Sequence, residues 1–245
     1  MTALVLPMFS TPNMAVLAEL GRYPLHVFAA KMVLNYWNRL VEMDGERLVK
    51  RAFMASAALA PQTASNSSHK SWAGQLAAFL AALGLPCDTS APQTVDVKRA
   101  VEQLQSTYLG SVADSSSCKV QQYLRMRSDL HPEDYLMAPY LSAVGGWKQR
   151  KHLAQLRLGS HWLGVETGRC SGVPHAQRLC QRCDSGEVDD EDHMVFRCPA
   201  LNAQRLQHAH VFSPWPDSLR TFMAGDPTAV AAFVHSCYEA SKALN

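Results

Sequence analysis

Residues 180–198, CQRCDSGEVDDEDHMVFRC, contain the pattern on which the interpretation of this chain depends. Cys180 and Cys183 are separated by two residues, His193 follows after nine more, and Cys198 follows after another four. Three thiolates and one imidazole satisfy the closed tetrahedron of structural zinc sites. The spacing therefore predicts a Zn²⁺ site formed by Cys180, Cys183, His193 and Cys198, in a small knuckle with little regular structure.

The closed ligand set favours a structural metal over a catalytic one, because it leaves no coordination position for water. Metal binding would then contribute directly to the folding of the segment. Cys170, ten residues before Cys180, is an alternative fourth ligand in place of His193. The other interpretation is a set of ordinary buried thiols with a surface histidine, which the density of three cysteines in nineteen residues disfavours.

The cysteine count indicates a reducing compartment. The chain has 245 residues and seven cysteines, an odd number with one close pair, which is a poor disulfide framework. A metal site in the cytoplasm or the nucleus fits this pattern better. No apolar run approaches the ~20 residues of a membrane helix, and the apolar N-terminus lacks the basic segment of a signal peptide. We therefore expect no membrane partner.

The remaining sequence predicts a mainly α fold, a helical body that carries the small Cys3His knuckle near its C-terminus. Hydrophobic residues make up 47% of the chain, enough for a sizeable core. Apolar spacing and capping signals predict helices over 24–43, 46–60, 72–83, 94–109, 119–127, 147–158, 199–208, 217–224 and 226–244. The small polar residues of 110–117 predict a linker. We therefore divide the chain into helical regions 1–117 and 118–245, the second of which contains the zinc-binding segment, about 153–205.

The charge of the chain is unevenly placed, although the formal net charge is only +2. The stretch 147–183 is basic with only Glu166 opposing it, and an acidic run at 187–192 follows. Lysines and arginines that contact phosphates give salt-dependent affinity for nucleic acid, and a tryptophan among them can stack on bases. The candidate nucleic-acid-binding residues are Arg157, Arg169, Arg178, Arg182 and Trp162. The alternatives are a solvated basic face, pairing of arginines with the acidic run, and a fixed role around the metal ligands for Arg169, Arg178 and His161.

Residues 153–205 carry several further motifs in a fixed order. These are Arg157-Leu-Gly-Ser-His161, Gly168-Arg169, Arg178-x-Cys-x-x-Cys183, the acidic pair Asp190-Glu191 before His193, Cys198-Pro199, and Arg205. The stretch resembles the zinc-binding segment downstream of the reverse transcriptase domain in non-LTR (LINE-type) retrotransposon polyproteins. Residues 17–40 resemble, more loosely, the helical region that precedes that segment. A Tyr-x-Asp-Asp polymerase motif is absent from the chain, as is an endonuclease motif. The resemblance therefore implies a fragment that binds RNA or DNA without the catalytic domains.

Together these observations predict a non-enzymatic, nucleic-acid-binding fragment with weak sequence preference. The main alternative is a zinc-stapled helical scaffold for protein–protein interaction, with exposed apolar helix faces such as 32–37. A hydrolase or thiol enzyme would need an open metal position or an activated nucleophile, and the sequence has neither a P-loop nor a catalytic cysteine signature. A decayed element without present function is a further alternative.

Overall fold

The computed structural model describes residues 11–63, 71–85, 91–127, 133 and 135–243. Over these residues the protein is mainly helical, and its one β-type pairing is an isolated antiparallel bridge between Leu179 and Val188. The predicted mainly α fold is confirmed. Within the same residues, no helix combines the length and the apolar character needed to cross a membrane.

The helices are named in chain order. They are α1 (Asn13–Glu19), α2 (Leu25–Glu42), α3 (Leu48–Thr63), α4 (Trp72–Ala82), α5 (Val97–Ala113), α6 (Cys118–Met126), α7 (Tyr140–Ala143), α8 (Trp147–Arg157), α9 (Gly164–Cys170), α10 (Asn202–Gln207), α11 (Leu219–Met223) and α12 (Pro227–Ala243). Short 3₁₀ turns occupy His175–Gln177, Pro199–Leu201 and Ala209–Phe212, and a π turn occupies His193–Arg197.

The chain forms two compact units. Unit 1 comprises Met1–Arg22 and Ser111–Asn245, and unit 2 comprises Tyr23–Gly110. The division that the sequence suggests after residue 117 stays a prediction. In the polar run 110–117, the first half is helical and residues 114–117 lie between α5 and α6. Helix α5 continues to Ala113, because the fully buried Val112 extends its apolar face by another turn.

Unit 2 is built around an apolar core. Helix α2 buries five side chains at a spacing of three or four residues, namely Val27, Ala30, Leu34, Trp37 and Leu40. The Trp37 ring meets Phe53 of α3 edge-on, with 5.8 Å between ring centroids, and its indole Nε1 donates to the carbonyl of Gln93 over 2.8 Å. Ser71 caps the start of α4, since its Oγ accepts a hydrogen bond from the amide of Gly74.

Unit 1 places the cysteine segment against a core of helices. Helix α12 packs along α8, and the rings of Phe212, Phe222 and Phe233 form a cluster with centroids 5.1–5.6 Å apart. Cys180 and Cys198 belong to the same buried apolar cluster. The segment that contains the four candidate ligands is therefore part of the core of unit 1.

A buried ionic network joins α1 to α8 within unit 1. Arg157 Nε lies 2.5 Å from Glu19 Oε1, Arg157 Nη2 lies 3.1 Å from Glu19 Oε2, and Tyr123 donates its hydroxyl to Glu19 over 2.9 Å. Burial works to raise the pKa of Glu19, but the charge and hydrogen bonds of Arg157 outweigh it, so the pKa is lowered. Both groups are thus ionised and compensated inside the protein.

Candidate metal centre

The four predicted ligands converge on one point. The ligand atoms of Cys180, Cys183, His193 and Cys198 all lie within 4.8 Å of one another. Cys183 Sγ is 3.4 Å from His193 Nε2, and Cys180 Sγ is 3.9 Å from Cys198 Sγ. A tetrahedron with Zn–S bonds of about 2.3 Å and a Zn–N bond of about 2.0–2.1 Å has edges of about 3.5–3.8 Å. The residues therefore fit a four-coordinate metal ion.

The first two ligands lie on a small loop. The bridge between Leu179 and Val188 closes it, with hydrogen bonds of 2.9 Å from the Cys180 amide to the Glu187 carbonyl and 2.8 Å from the Asp189 amide to the Arg178 carbonyl. Gly186 adopts a φ of +69° near the end of the loop, a conformation that favours glycine. The loop thereby holds the two cysteines on the side that faces the other ligands.

The other two ligands are brought together by the π turn. Side chains five residues apart on an α-helix point about 140° away from each other. Here the amide of Cys198 bonds to the carbonyl of His193 over 2.7 Å, the i→i+5 bond of a π turn, which is wider. His193 and Cys198 therefore face the same side, and Pro199 starts the next turn directly afterwards.

Polar groups around the ligands fix their orientation. His193 Nδ1 lies 3.4 Å from Glu187 Oε2, which leaves Nε2 directed at the cysteines. The amide of His193 donates to Asp190 Oδ1 over 2.7 Å, and Arg205 donates to the carbonyls of Met194 and Cys198. Such supporting contacts are typical of metal-binding histidines and cysteines in proteins.

The thiols differ in their electrostatics. Burial raises the pKa of Cys180 to about 12, so a thiolate there needs a nearby cation. Burial also works to raise the pKa of Cys183, but hydrogen bonds from Ser185 and His193 outweigh it and lower the pKa to about 6. A metal ion would supply the positive charge that three neighbouring thiolates require.

The alternative ligand Cys170 does not join the group. It is exposed at the C-terminal end of α9, whereas Cys180, His193 and Cys198 are buried and Cys183 is half-buried. Among the described residues, the convergent set is therefore Cys3His with His193 as the fourth ligand.

Two of the predicted nucleic-acid contacts need correction. Arg157 is buried against Glu19, and the side chain of Arg182 is 5% exposed and paired with Asp189. Neither guanidinium can reach a phosphate from this position. Both predictions treated a basic stretch as surface, but folding brings a carboxylate to each arginine, and buried charges require such a partner.

The other three predicted contacts are also engaged inside unit 1. Arg169 is partly exposed and binds Glu166, with 2.7 Å between Nη2 and Oε1. Arg178 is half-buried and donates to the carbonyls of Val165 and Val173, both over 2.8 Å. Trp162 is half-buried and packs edge-on against Tyr238, with centroids 4.9 Å apart, so its ring is not an open stacking surface.

Arg178 shows why a glycine precedes Arg169. A Cβ on Gly168 of α9 would lie 2.8 Å from Arg178 Cγ, so a larger residue there would force this side chain to shift. His161 is buried as well and lies 2.7 Å from Glu191 Oε1. These contacts fit the alternative interpretation, in which Arg169, Arg178 and His161 support the metal segment, defined here as residues 178–205.

Neighbouring side chains bind the acidic run. Asp189 pairs with Arg182, and Asp192 pairs with Arg125 over 2.8 Å. Glu191 Oε1 lies 2.7 Å from His161 Nε2, and the more exposed Glu187 lies 2.6 Å from Arg197 Nε. The run therefore contacts basic side chains of unit 1, as in the alternative interpretation from the sequence.

One exposed aromatic residue lies outside the candidate set from the sequence. Trp147 is 60% exposed at the start of α8. The buried residues of this helix include Leu153 and Leu156. Trp147 lies seven residues before the buried Ala154 and therefore on the same helix face. The helical spacing gives no sequence signal that the ring is exposed.

Comparison of the chain with protein-family models, with curated proteins and with solved structures finds no match.

Proposed function

We propose that this chain is a non-enzymatic nucleic-acid-binding module whose helical unit 1 is stapled by a structural zinc ion. The observation that carries the proposal is the convergence of Cys180, Cys183, His193 and Cys198 within 4.8 Å in the core of unit 1. Four protein donors complete a tetrahedral shell, which is the pattern of structural rather than catalytic zinc.

Zinc is the metal that this donor set suits best. Thiolates select zinc, copper(I) and iron–sulfur clusters, and an imidazole beside three thiolates in a tetrahedral arrangement is typical of zinc. When bound, the ion would neutralise the thiolates and add its binding free energy to folding. Cys180, Cys183, His193 and Cys198 would hold it, while Glu187 and Arg205 would keep the ligands in place.

Nucleic acid as the partner is supported by the sequence. The basic stretch 147–183 contains a single acidic residue, and the motif order of residues 153–205 resembles the zinc-binding segment of non-LTR retrotransposon polyproteins. Because the arginines nearest the metal are paired internally, the contact with phosphates must come from other cations of the same stretch. We expect weak sequence preference, since phosphate contacts carry no sequence information.

The first test is the metal content of the purified full chain. We expect about one zinc ion per chain, lost or strongly reduced in Cys180→Ser. Cys170→Ser is the matched control, because this exposed thiol lies outside the group, and it should keep its zinc. Loss of zinc in Cys170→Ser with retention in His193→Ala would show that the fourth ligand is wrongly assigned.

The second test is binding of labelled single- and double-stranded oligonucleotides at rising salt, with and without a chelator. Affinity that falls with salt, and that decreases when the metal is removed, supports the proposal. No binding at low salt would refute the nucleic-acid role.

A second candidate function, a zinc-stapled scaffold for protein–protein interaction, is favoured by α2. Leu25, Phe28 and Met32 of this helix are exposed by 79%, 62% and 61%, and they lie at the spacing of one helix face. If oligonucleotides do not bind while Phe28→Ser and Met32→Ser change the oligomeric state in light scattering, this function replaces the first.

A further inference from the structure

The start of α8 presents an aromatic ring between two lysines. Trp147 is 60% exposed, and the Nζ atoms of Lys148 and Lys151 each lie 6.0 Å from its ring centroid. We call these three residues the α8 basic face. An accessible indole flanked by cations is the combination with which proteins bind single-stranded nucleic acid, the ring stacking on a base and the cations contacting phosphates.

The lysines of this face are not neutralised by carboxylates. The sequence has no acidic residue from Tyr135 to Val165, and none of the ion pairs among the described residues includes Lys148 or Lys151. On α12, which packs along α8, Glu239 lies 3.9 Å from His235. The α8 basic face therefore differs from the four predicted arginines. Arg157, Arg169 and Arg182 bind carboxylates inside unit 1, and Arg178 binds backbone carbonyls there.

The position of these cations is unfavourable for the helix itself. The first turn of an α-helix carries a partial positive charge, and acidic side chains stabilise it. The first turn of α8 contains no acidic residue and instead carries Lys148 and Arg150. A bound anion would reverse this repulsion, so the charge pattern is complementary to a polyanion.

We infer that the α8 basic face binds single-stranded nucleic acid, with Trp147 stacked on a base and Lys148 and Lys151 on the flanking phosphates. This inference rests on the proposed nucleic-acid function and assigns the surface that performs it. The occupant is a single strand, because stacking on an exposed ring requires an unpaired base. A duplex offers phosphates to the lysines but no base to Trp147.

The experiment measures binding of the full, zinc-loaded chain to a labelled 15-nucleotide oligo(dT), oligo(U) and a mixed-sequence duplex over a salt series. Trp147→Ala should weaken single-strand binding about tenfold, since loss of one stacked base costs a factor of about 5 to 160, and should affect the duplex less. Lys148→Gln/Lys151→Gln should lower the slope of log affinity against log salt by about 1.4, because each phosphate contact contributes about 0.7 for single strands.

Matched controls distinguish an effect of the α8 basic face on binding from a general effect of a substitution on the protein. Trp215→Ala removes another exposed tryptophan of unit 1, and Lys31→Gln/Lys98→Gln removes the same charge from unit 2. Both should bind like the wild type, and every variant should retain one zinc ion per chain, which reports an intact metal segment.

The outcomes distinguish the two proposals. Wild-type binding that Trp147→Ala and the lysine variant leave unchanged would overturn the assigned surface but keep the proposed function. No wild-type binding at low salt would overturn both. Retention of polyglutamate by this face, without binding of any oligonucleotide, would also overturn both and would identify the surface as a site for acidic proteins.

Discussion

Unit 2 and the metal segment of unit 1 are stabilised by different interactions. Unit 2 buries apolar side chains such as Leu34, Trp37 and Phe53. The metal segment buries the ion pair of Arg182 with Asp189 and the hydrogen bond between His161 and Glu191, beside the four side chains that could hold a metal ion. Apolar burial is favourable without any cofactor, whereas buried charges stabilise only while every partner is present. We therefore expect the stability of the metal segment to depend on a bound metal ion, and that of unit 2 not to depend on one.

Removal of the metal should produce the largest difference between the two regions. Structural zinc contributes about 10 kcal/mol or more of apparent binding free energy in small zinc domains, so a chelator should unfold the metal segment locally. Hydrogen exchange of the full chain should then show lost protection at the amides of Cys180, Asp189 and Cys198, which are hydrogen-bonded in the folded segment. The amides of α2 should remain protected. Equal loss of protection in both regions would contradict the expected difference between the metal segment and unit 2.

Loss of one partner of the Glu19–Arg157 pair should have the next largest effect. Glu19→Gln leaves the buried guanidinium of Arg157 without a counter-charge, which costs about 3–5 kcal/mol for buried pairs. Native-state hydrogen exchange of α8 would measure the loss of unfolding free energy. Glu102→Gln is the control, because its pair with Lys98 is exposed and should matter little. Similar effects of the two substitutions would show that the buried network is not a stabilising element of unit 1.

A core truncation in unit 2 should act on that unit alone. Leu34→Ala removes a fully buried side chain and should cost about 3 kcal/mol through lost transfer free energy and a cavity. The matched control on the same helix is Leu25→Ala, whose side chain is 79% exposed. Hydrogen exchange of α2 should report the loss with and without chelator. A loss that depends on the metal would mean that unit 2 is not independent of it.

Mild acid should cause the smallest difference, again in unit 1. Burial, with a further contribution from the charge of His235, lowers the pKa of His152 to about 4 from its ordinary 6.5. As the pH falls, His152 therefore becomes protonated in the unfolded chain before it does in the folded chain. Stability should fall as the pH drops through 6.5 towards 4, by about 1 kcal/mol between pH 6.5 and 5.5. The lowered pKa of Glu19 acts in the same direction at lower pH, since its stabilisation is lost as the pH falls.

The measurement is the unfolding free energy of unit 1 at these two pH values, with the zinc content checked at each. His152→Gln should remove most of the change over this interval. An unchanged pH dependence in the variant would show that another group is responsible.

The candidate metal site could be predicted because its information is local. The four candidate ligands lie within nineteen residues, and the structure decides between His193 and the alternative Cys170. The helices of unit 2 were predictable for a similar reason, since Leu34, Trp37 and Leu40 repeat with the helical period. Even in unit 2, the sequence does not indicate which side of α2 is exposed, because Phe28 and Met32 are as apolar as the residues that face the core.

The surface could not be predicted because it depends on partners that are distant in sequence. Arg157 is neutralised by Glu19, 138 residues away in sequence. Lys119 forms an ion pair with Glu166, 47 residues away. From the sequence, Arg157 and Lys148 are equivalent basic residues of one stretch. The fold buries the first, and among the described residues it brings no carboxylate into an ion pair with the second. The proposed nucleic-acid contact therefore lies at the α8 basic face and not at the arginines.

The central claim, a closed Cys3His site, is tested most directly by X-ray absorption at the zinc edge of the purified wild-type chain. The account predicts one zinc ion per chain with three sulfur atoms at about 2.3 Å and one nitrogen at about 2.0–2.1 Å. A stoichiometric ion with an oxygen in its shell, or a purified and folded chain that holds no metal, would contradict it.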